Sequence, residues 1–424
     1  MSQSPVPVPA PISPPGGPAD PAVPAWTAAD AAAWSGARAA AWARPLWAVL
    51  ALLVPLVAAM AAAPVPVCSD AAPCGPDWFG MAQTGLALAL LYWNARLPEL
   101  VLVAAPVLAL VVAWEQFPAA DWQAGAADTA VLAALAFGWA SARERLAARR
   151  RQRLLVERAA VPVALPAEAP GGPRRPGTVA CCVGLALVAV AAGAVVLALR
   201  GIDEGERRTE RATRAEARVT GHTDLVVKVR TADGRAFGVD AVFPEDYRAG
   251  TVVTVLEDAS GRWLAAEPYD PVGWQLLTLA TGLPGVSLLA GGALARRRHS
   301  ALRAGPVPAL RVAVRLGHDG SLRVHPADDP AGRAPLFSCA VAPVAVLAED
   351  HRRGVPERPA EDRYAGLREA VLLGAPYEDA ELVFVMTGWG GDPVTARTVS
   401  PVRLRPPSWA TTPAQAPAPA STGR

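Results

Sequence analysis

Few side chains in this chain could do chemistry. Five histidines, His222, His299, His318, His325 and His351, are the available general bases or imidazole ligands, and no two stand at the helical spacing of a His-Glu-x-x-His zinc site. His318 and His325 flank one predicted hairpin across Asp319-Gly320, so they could approach each other. Two solvated strand-end histidines are the plainer account. A membrane-bound hydrolase using a cytoplasmic residue such as His318 or His351 is a third alternative. The chain holds no Gly-x-Ser-x-Gly elbow and no Gly-Lys-Ser/Thr phosphate loop. Gly388-Trp-Gly-Gly-Asp-Pro is glycine-rich, but Pro393 follows it and no helix offers a phosphate its N-terminus, so it reads as a loop. No catalytic residue, cofactor or metal is expected, and the expectation is a protein that is not an enzyme.

Composition turns attention to the elements that would carry any site. Of 424 residues, 52% are hydrophobic and 18% charged, and Pro (43) and Gly (36) are abundant. A soluble globular protein carries about a quarter charged residues, so a single compact soluble enzyme is a poor fit. Membrane spans joined to β-rich modules, with disordered Pro-rich ends, fit better. A net charge of +2 excludes an electrostatic nucleic-acid binder. The only lysine is Lys228, and the only asparagine, Asn94, precedes Ala-Arg, so no N-glycosylation acceptor exists.

Six apolar stretches, 45–63, 78–93, 97–114, 126–142, 178–199 and 271–295, predict six transmembrane helices, since about 20 apolar residues cross the hydrocarbon core. Ionisable residues inside spans would point to transport. Only Glu99 and Asp128 qualify, and both fall near predicted interfaces, Glu99 three residues after Arg96. Glycines 282, 285, 291 and 292 in the last stretch suit close packing, for example against the fifth span. Residues 143–175 hold nine arginines, Arg149, Arg150 and Arg151 among them, and Arg296, Arg297 and Arg298 follow the last span. By the positive-inside rule both segments are cytoplasmic. Residues 64–77 and 115–128 carry acids and no basic residue, so they face outward. All segments agree if both termini are cytoplasmic.

That topology places Cys68-Ser-Asp-Ala-Ala-Pro-Cys74 outside, where an oxidising environment permits a Cys68–Cys74 disulfide. Two cysteines without a nearby histidine are too few for a metal. Cys181 and Cys182 read as small apolar residues of the fifth span, and Cys339 as strand core.

Two stretches switch to period-two alternation. In 201–270, Leu225, Val227 and Val229 face one way and Val226, Lys228 and Arg230 the other, and Ala232-Asp233-Gly234 turns the chain into 235–243. Strands 251–257 and 262–267 follow, which suggests a small antiparallel barrel or sandwich. The Glu/Arg-dense residues 203–218 read as a solvated helical continuation of the fifth span with i,i+4 ion pairs. In 306–407, Leu310, Val312, Val314 and Leu316 alternate with Arg311 and Arg315. The run from Tyr377 aligns with the run from Tyr247, a weak internal repeat for which chance hairpin similarity is the rival.

Ala217-Arg-Val-Thr-Gly, Val229-Arg-Thr-Ala-Asp-Gly-Arg and the run Tyr247-Arg-Ala-Gly-Thr-Val-Val-Thr-Val-Leu-Glu-Asp resemble a widespread bacterial family of unknown function. Its members carry a small β domain between two membrane helices. The whole chain resembles multi-span membrane proteins of high-GC Gram-positive bacteria. The resemblance covers roughly 178–295 and implies a fold and a membrane setting, with no activity.

The expected organisation of this α+β membrane protein is a disordered cytoplasmic arm (1–44), a four-helix region (45–142), a basic linker (143–177), a span (178–200), an extracytoplasmic β module (201–270), a span (271–295), a cytoplasmic β-rich domain (306–407) and a disordered tail (408–424). Trp26, Trp34 and Trp42 recur at a spacing of eight, suiting either an interfacial helix or a bland Ala-rich one. The expected role is non-enzymatic binding or assembly through the β modules, with the lipid bilayer and an envelope protein as partners. The alternative is a small-molecule or ion transporter built on the first four spans.

Overall fold

A computed structural model describes residues 23–62, 69, 77–116, 122–166, 176–223, 225–241, 244–259, 261–267, 269, 271–316, 321–329, 332, 335–342, 367–387, 393–399 and 402. Among them are seven α-helices: α1 (Ala28–Gly36), α2 (Pro45–Ala62), α3 (Trp78–Arg96), α4 (Pro98–Gln116), α5 (Trp122–Ala159), α6 (Thr178–Arg211) and α7 (Val272–Arg303). Two antiparallel sheets complete the fold, and the chain divides into two compact units.

One unit draws on Trp42–Arg143 and Gly177–Ala293. Helices α5, α6 and α7 are the three among the described residues that are long and apolar enough to cross a membrane. The expectation of six such helices is therefore corrected to three. Helix α2, at 18 residues, rises about 27 Å, short of a hydrocarbon core about 30 Å thick. Helix α4 is similarly short in its apolar part and carries Pro106 inside. Helix α3 is interrupted by Gln83, Thr84 and Asn94.

Glycine sets how closely α6 and α7 pack. A Cβ on Gly184 would lie 2.8 Å from the Gly285 carbonyl oxygen, and one on Gly285 would lie 2.9 Å from Val188 Cγ2. Gly292 meets Cys181 and Gly177 in the same way, whereas Gly291 faces open space. Because the obstructing atom at Gly184 is backbone, Gly184→Val is expected to cost about 1–3 kcal/mol. Gly291→Ala should stay within about 0.5 kcal/mol. Thermal midpoints of the two variants in detergent compare them directly.

The strands are β1 (Val161–Val163), β2 (Thr213–Thr223), β3 (Val226–Thr231), β4 (Ala236–Asp240), β5 (Val252–Asp258), β6 (Gly261–Leu264), β7 (Val307–Leu316), β8 (Ser321–His325), β9 (Phe337–Ala340), β10 (Arg368–Leu373), β11 (Val383–Thr387) and β12 (Pro393–Arg397). The unit with the apolar helices contains the five-stranded sheet, in the order β4-β3-β2-β5-β6. Helix α6 runs on past its apolar part to Arg211, and Arg208 pairs with Glu204 one turn away at 3.3 Å. The expected helical continuation stops there, because residues 213–218 find a partner strand in 252–257. Val227 and Val229 are buried as the alternation requires, but Leu225 precedes the strand and is 69% exposed. The Asp233-Gly234 turn closes as expected, with Gly234 at φ 88° and Thr231 N–H donating to the Arg235 carbonyl at 3.0 Å. The sheet curls until β6 reaches β4, where the Arg262 guanidinium sits 4.4 Å from the Phe237 ring centre.

The second unit draws on the chain before Trp42, on Glu144–Pro176 and on the chain after Ala293. Its seven-stranded sheet runs β12-β11-β10-β7-β8-β9, with β1 also on β7. The ends meet: Val399 N–H donates to the Ala340 carbonyl at 2.9 Å and Ala342 N–H to the Arg397 carbonyl at 3.0 Å, closing a barrel. Leu310, Val312 and Val314 point into a core with Phe337, Leu372 and Phe384. Val307, Ala309, Val371 and Leu373 pack on the opposite face with Leu302 of α7. Burial on both faces explains why Ala370–Leu373 read as a continuous apolar run rather than an alternating one. Cys339 is core, as expected, and burial pushes its thiol up from 9.0 to about 12. Three units mean about a thousandfold less thiolate, so Cys339 is expected to resist iodoacetamide in the folded protein and to react fully after denaturation.

Two expectations are revised in this unit. Of the arm 1–44, residues 23–44 are ordered; residues 1–22 and the tail 408–424 lie outside the described residues. Trp26 N–H donates to the Arg311 carbonyl at 2.8 Å, and Arg311 N–H donates back to the Pro24 carbonyl at 2.8 Å. Thr27 caps α1 in a capping box with Asp30, and Trp26 and Trp34 are each only 1% exposed. Neither is an interfacial anchor; they are barrel core. Trp42 belongs to the other unit and is 46% exposed. The basic linker 143–177 is helical through Ala159, places Val156 in the barrel core and forms β1 at Val161–Val163, while its residues 167–175 lie outside the described residues.

Both sheets wind alike. In each, the strand that follows a long helix (β2 after α6, β7 after α7) is central, the next two strands meander to one side, and the chain returns to pair on the other side. By topology β5 therefore matches β10, whereas the alignment from Tyr247 and Tyr377 matches β5 with β11.

Candidate functional site

A cleft of about 370 Å³ opens between α6 and the β5–β6 hairpin. Gly201, Glu204 and Arg208 lie on one face of α6, and Arg262, Trp263 and Tyr269 face them. The position of Tyr269 depends on Gly201: a Cβ there would come within 3.0 Å of Tyr269 Cε1 and closer still to its hydroxyl. The ring thus lies against bare helix backbone. Arg262 donates from Nη2 (2.7 Å) and Nε (3.0 Å) to Glu257 Oε1. Among the described residues the sealed Trp263 indole N–H has no acceptor. The lining therefore offers two guanidiniums, one carboxylate and two aromatic rings.

Behind the cleft runs an exposed ionic chain. The hydrogen bond from Arg262 holds the Glu257 carboxyl below its ordinary range, and Thr231 with Arg235 does the same for Asp233. Both carboxyls bind protons less readily folded than unfolded. Their stabilisation is present above the ordinary values and is lost as pH falls through the depressed ones. The thermal midpoint is therefore expected to decline below about pH 4.5, the ordinary value for the glutamate. The decline should be shallower in Glu257→Gln with Asp233→Asn.

The barrel unit holds a second cluster. Glu381 accepts from Arg397 and from His299 Nδ1, the latter at 3.1 Å, and Asp379 accepts from Arg149 of α5. Asp379 has a left-handed backbone at φ 71°.

The sequence-predicted residues are dispersed. His222 is exposed on β2 and His325 is buried on β8, while His318 and His351 lie outside the described residues. So do Cys68 and Cys74, and with them the disulfide expectation. Arg149 is tied to Asp379 and Arg151 to Glu144, while Arg150, Arg296 and Arg297 are exposed. Asp128 is buried on α5. Among the described residues no three His, Cys, Asp or Glu side chains gather as a metal site. Sequence reasoning missed the cleft and the Glu381 cluster. The i, i+3, i+7 spacing of Gly201, Glu204 and Arg208 was a readable signal for one wall of the cleft.

No family model, no curated protein and no solved structure matches this chain.

Proposed function

We propose that the protein is a multi-pass protein of the cell membrane that acts by binding, using its two β modules to hold envelope partners, without catalysing a reaction. The supporting observation is the assembly of the barrel unit. Residues from Val23 through α1, the distal part of α5 and the chain after Ala293 share one core. A folded core lies on one side of a bilayer. On that basis the chain crosses an even number of times between α1 and Glu144, so α5 does not cross alone in that stretch. Arg149–Arg151 and Arg296–Arg298 lie on the barrel's side, which the positive-inside rule makes cytoplasmic, with both termini. The five-stranded module is then extracytoplasmic, a helix–β–helix arrangement like the one the family resemblance implies.

Cysteines introduced at Leu225 (69% exposed) and Val399 (64% exposed) test the topology. An impermeant maleimide should label Leu225→Cys in intact cells and Val399→Cys only after permeabilisation; equal labelling would contradict the reading. A photo-cross-linker at Leu225 tests binding. A reproducible envelope partner supports it, whereas uptake into vesicles without one favours the transporter alternative.

A further inference from the structure

We infer that the cleft between α6 and the β5–β6 hairpin is a binding site for the phosphodiester headgroup of a membrane phospholipid; this rests on the membrane reading above. Depth is the first support. The uncharged part of α6 ends at Leu199, and Gly201 already lines the cleft. Tyr269 stands three residues before α7 begins at Val272, so the cleft lies just past the apolar part of α6 and just before the start of α7. Trp and Tyr are the side chains that favour this interfacial depth, with the ring in the apolar zone and the polar edge toward headgroups.

Chemistry is the second support. Arg208 and Arg262 offer guanidinium donors suited to phosphate oxygens. Each is already held by a carboxylate, Arg208 by Glu204 and Arg262 by Glu257, so their forks are oriented before a ligand arrives. Glu204 would also meet a positively charged or hydrogen-bond-donating headgroup, which favours a zwitterionic phosphodiester such as phosphoethanolamine over a bare phosphate. A volume of about 370 Å³ suits a headgroup and leaves the acyl chains to lie along the apolar part of α6.

The test is native mass spectrometry of the detergent-extracted full-length protein with phosphatidylethanolamine, phosphatidylglycerol, diacylglycerol or inorganic phosphate. Wild type should retain phospholipid and not diacylglycerol. Arg208→Gln with Arg262→Gln should weaken retention by about tenfold or more. Glu204→Gln should lower the preference for phosphatidylethanolamine over phosphatidylglycerol, which tests the site even if the double variant fails to fold. Equal retention by wild type and the Arg variants, or of diacylglycerol and phospholipid, overturns the inference. So does inorganic phosphate displacing the lipid and binding alone, which would make the ligand a soluble anion. Absence of the protein from the membrane fraction would sink the reading beneath it; presence there without phosphate-dependent retention sinks the cleft assignment alone.

Discussion

Replacing Trp34 by alanine should destabilise the barrel unit by about 3–5 kcal/mol, the cost of emptying a large aromatic site in a packed core. The indole is 1% exposed, packs edge-on to Trp26 with ring centres 5.5 Å apart, and lies 5.9 Å from Phe337. Its Nε1–H donates to the Pro376 carbonyl at 2.9 Å, so truncation also strands a buried acceptor. The loss should appear as a lower unfolding midpoint and as new proteolysis at Arg38, whose guanidinium lies over the same ring. Trp42→Ala, at a half-exposed site, is the control expected to change little. An unchanged midpoint for Trp34→Ala would mean that the arm is not part of the folded core.

Glu381→Ala should cost about 2–4 kcal/mol. Removing one partner of a buried pair typically costs 3–5 kcal/mol, by leaving an uncompensated charge. The side chains here retain 13% exposure at Glu381 and 15% at Arg397, which reduces that figure. His299 loses its partner as well. The double variant Glu381→Leu with Arg397→Leu should recover much of the loss, because two apolar side chains replace two charges at once. A thermal double-mutant cycle reads the coupling. Additive single effects would show that Glu381 and Arg397 contribute independently.

Local pattern carried the sequence reading well where the partners of a segment lie near it in the chain. The Asp233-Gly234 hairpin and the alternating valines of β3, paired with β4, are of that kind. The barrel's arm is of the opposite kind. Trp26 and Trp34 sit in a Pro/Ala-rich stretch with no apolar period, and they are buried by Arg311, Phe337 and Pro376, hundreds of positions away. Periodicity is blind to such a contact. Span counting failed for a different reason: apolar character at 45–63 and 97–114 was correctly read, but helix length fell short of the bilayer. The cleft needed a strand to come up against a helix. The eight positions that line it come from two separate stretches, 201–208 and 261–269.

The five-stranded sheet is joined to α6 through a single residue, Ala212, and the strand it enters, β2, is bonded along both edges. A joint so short, entering at the middle of the sheet, leaves little freedom for the module to swivel. Any rotation or tilt of the helix is delivered first to β5 through Thr213–Arg218 and then to β3 through Ala217–Thr223. The module is thus mounted as a rigid arm, and a torque applied to it by a partner would be felt along the helix.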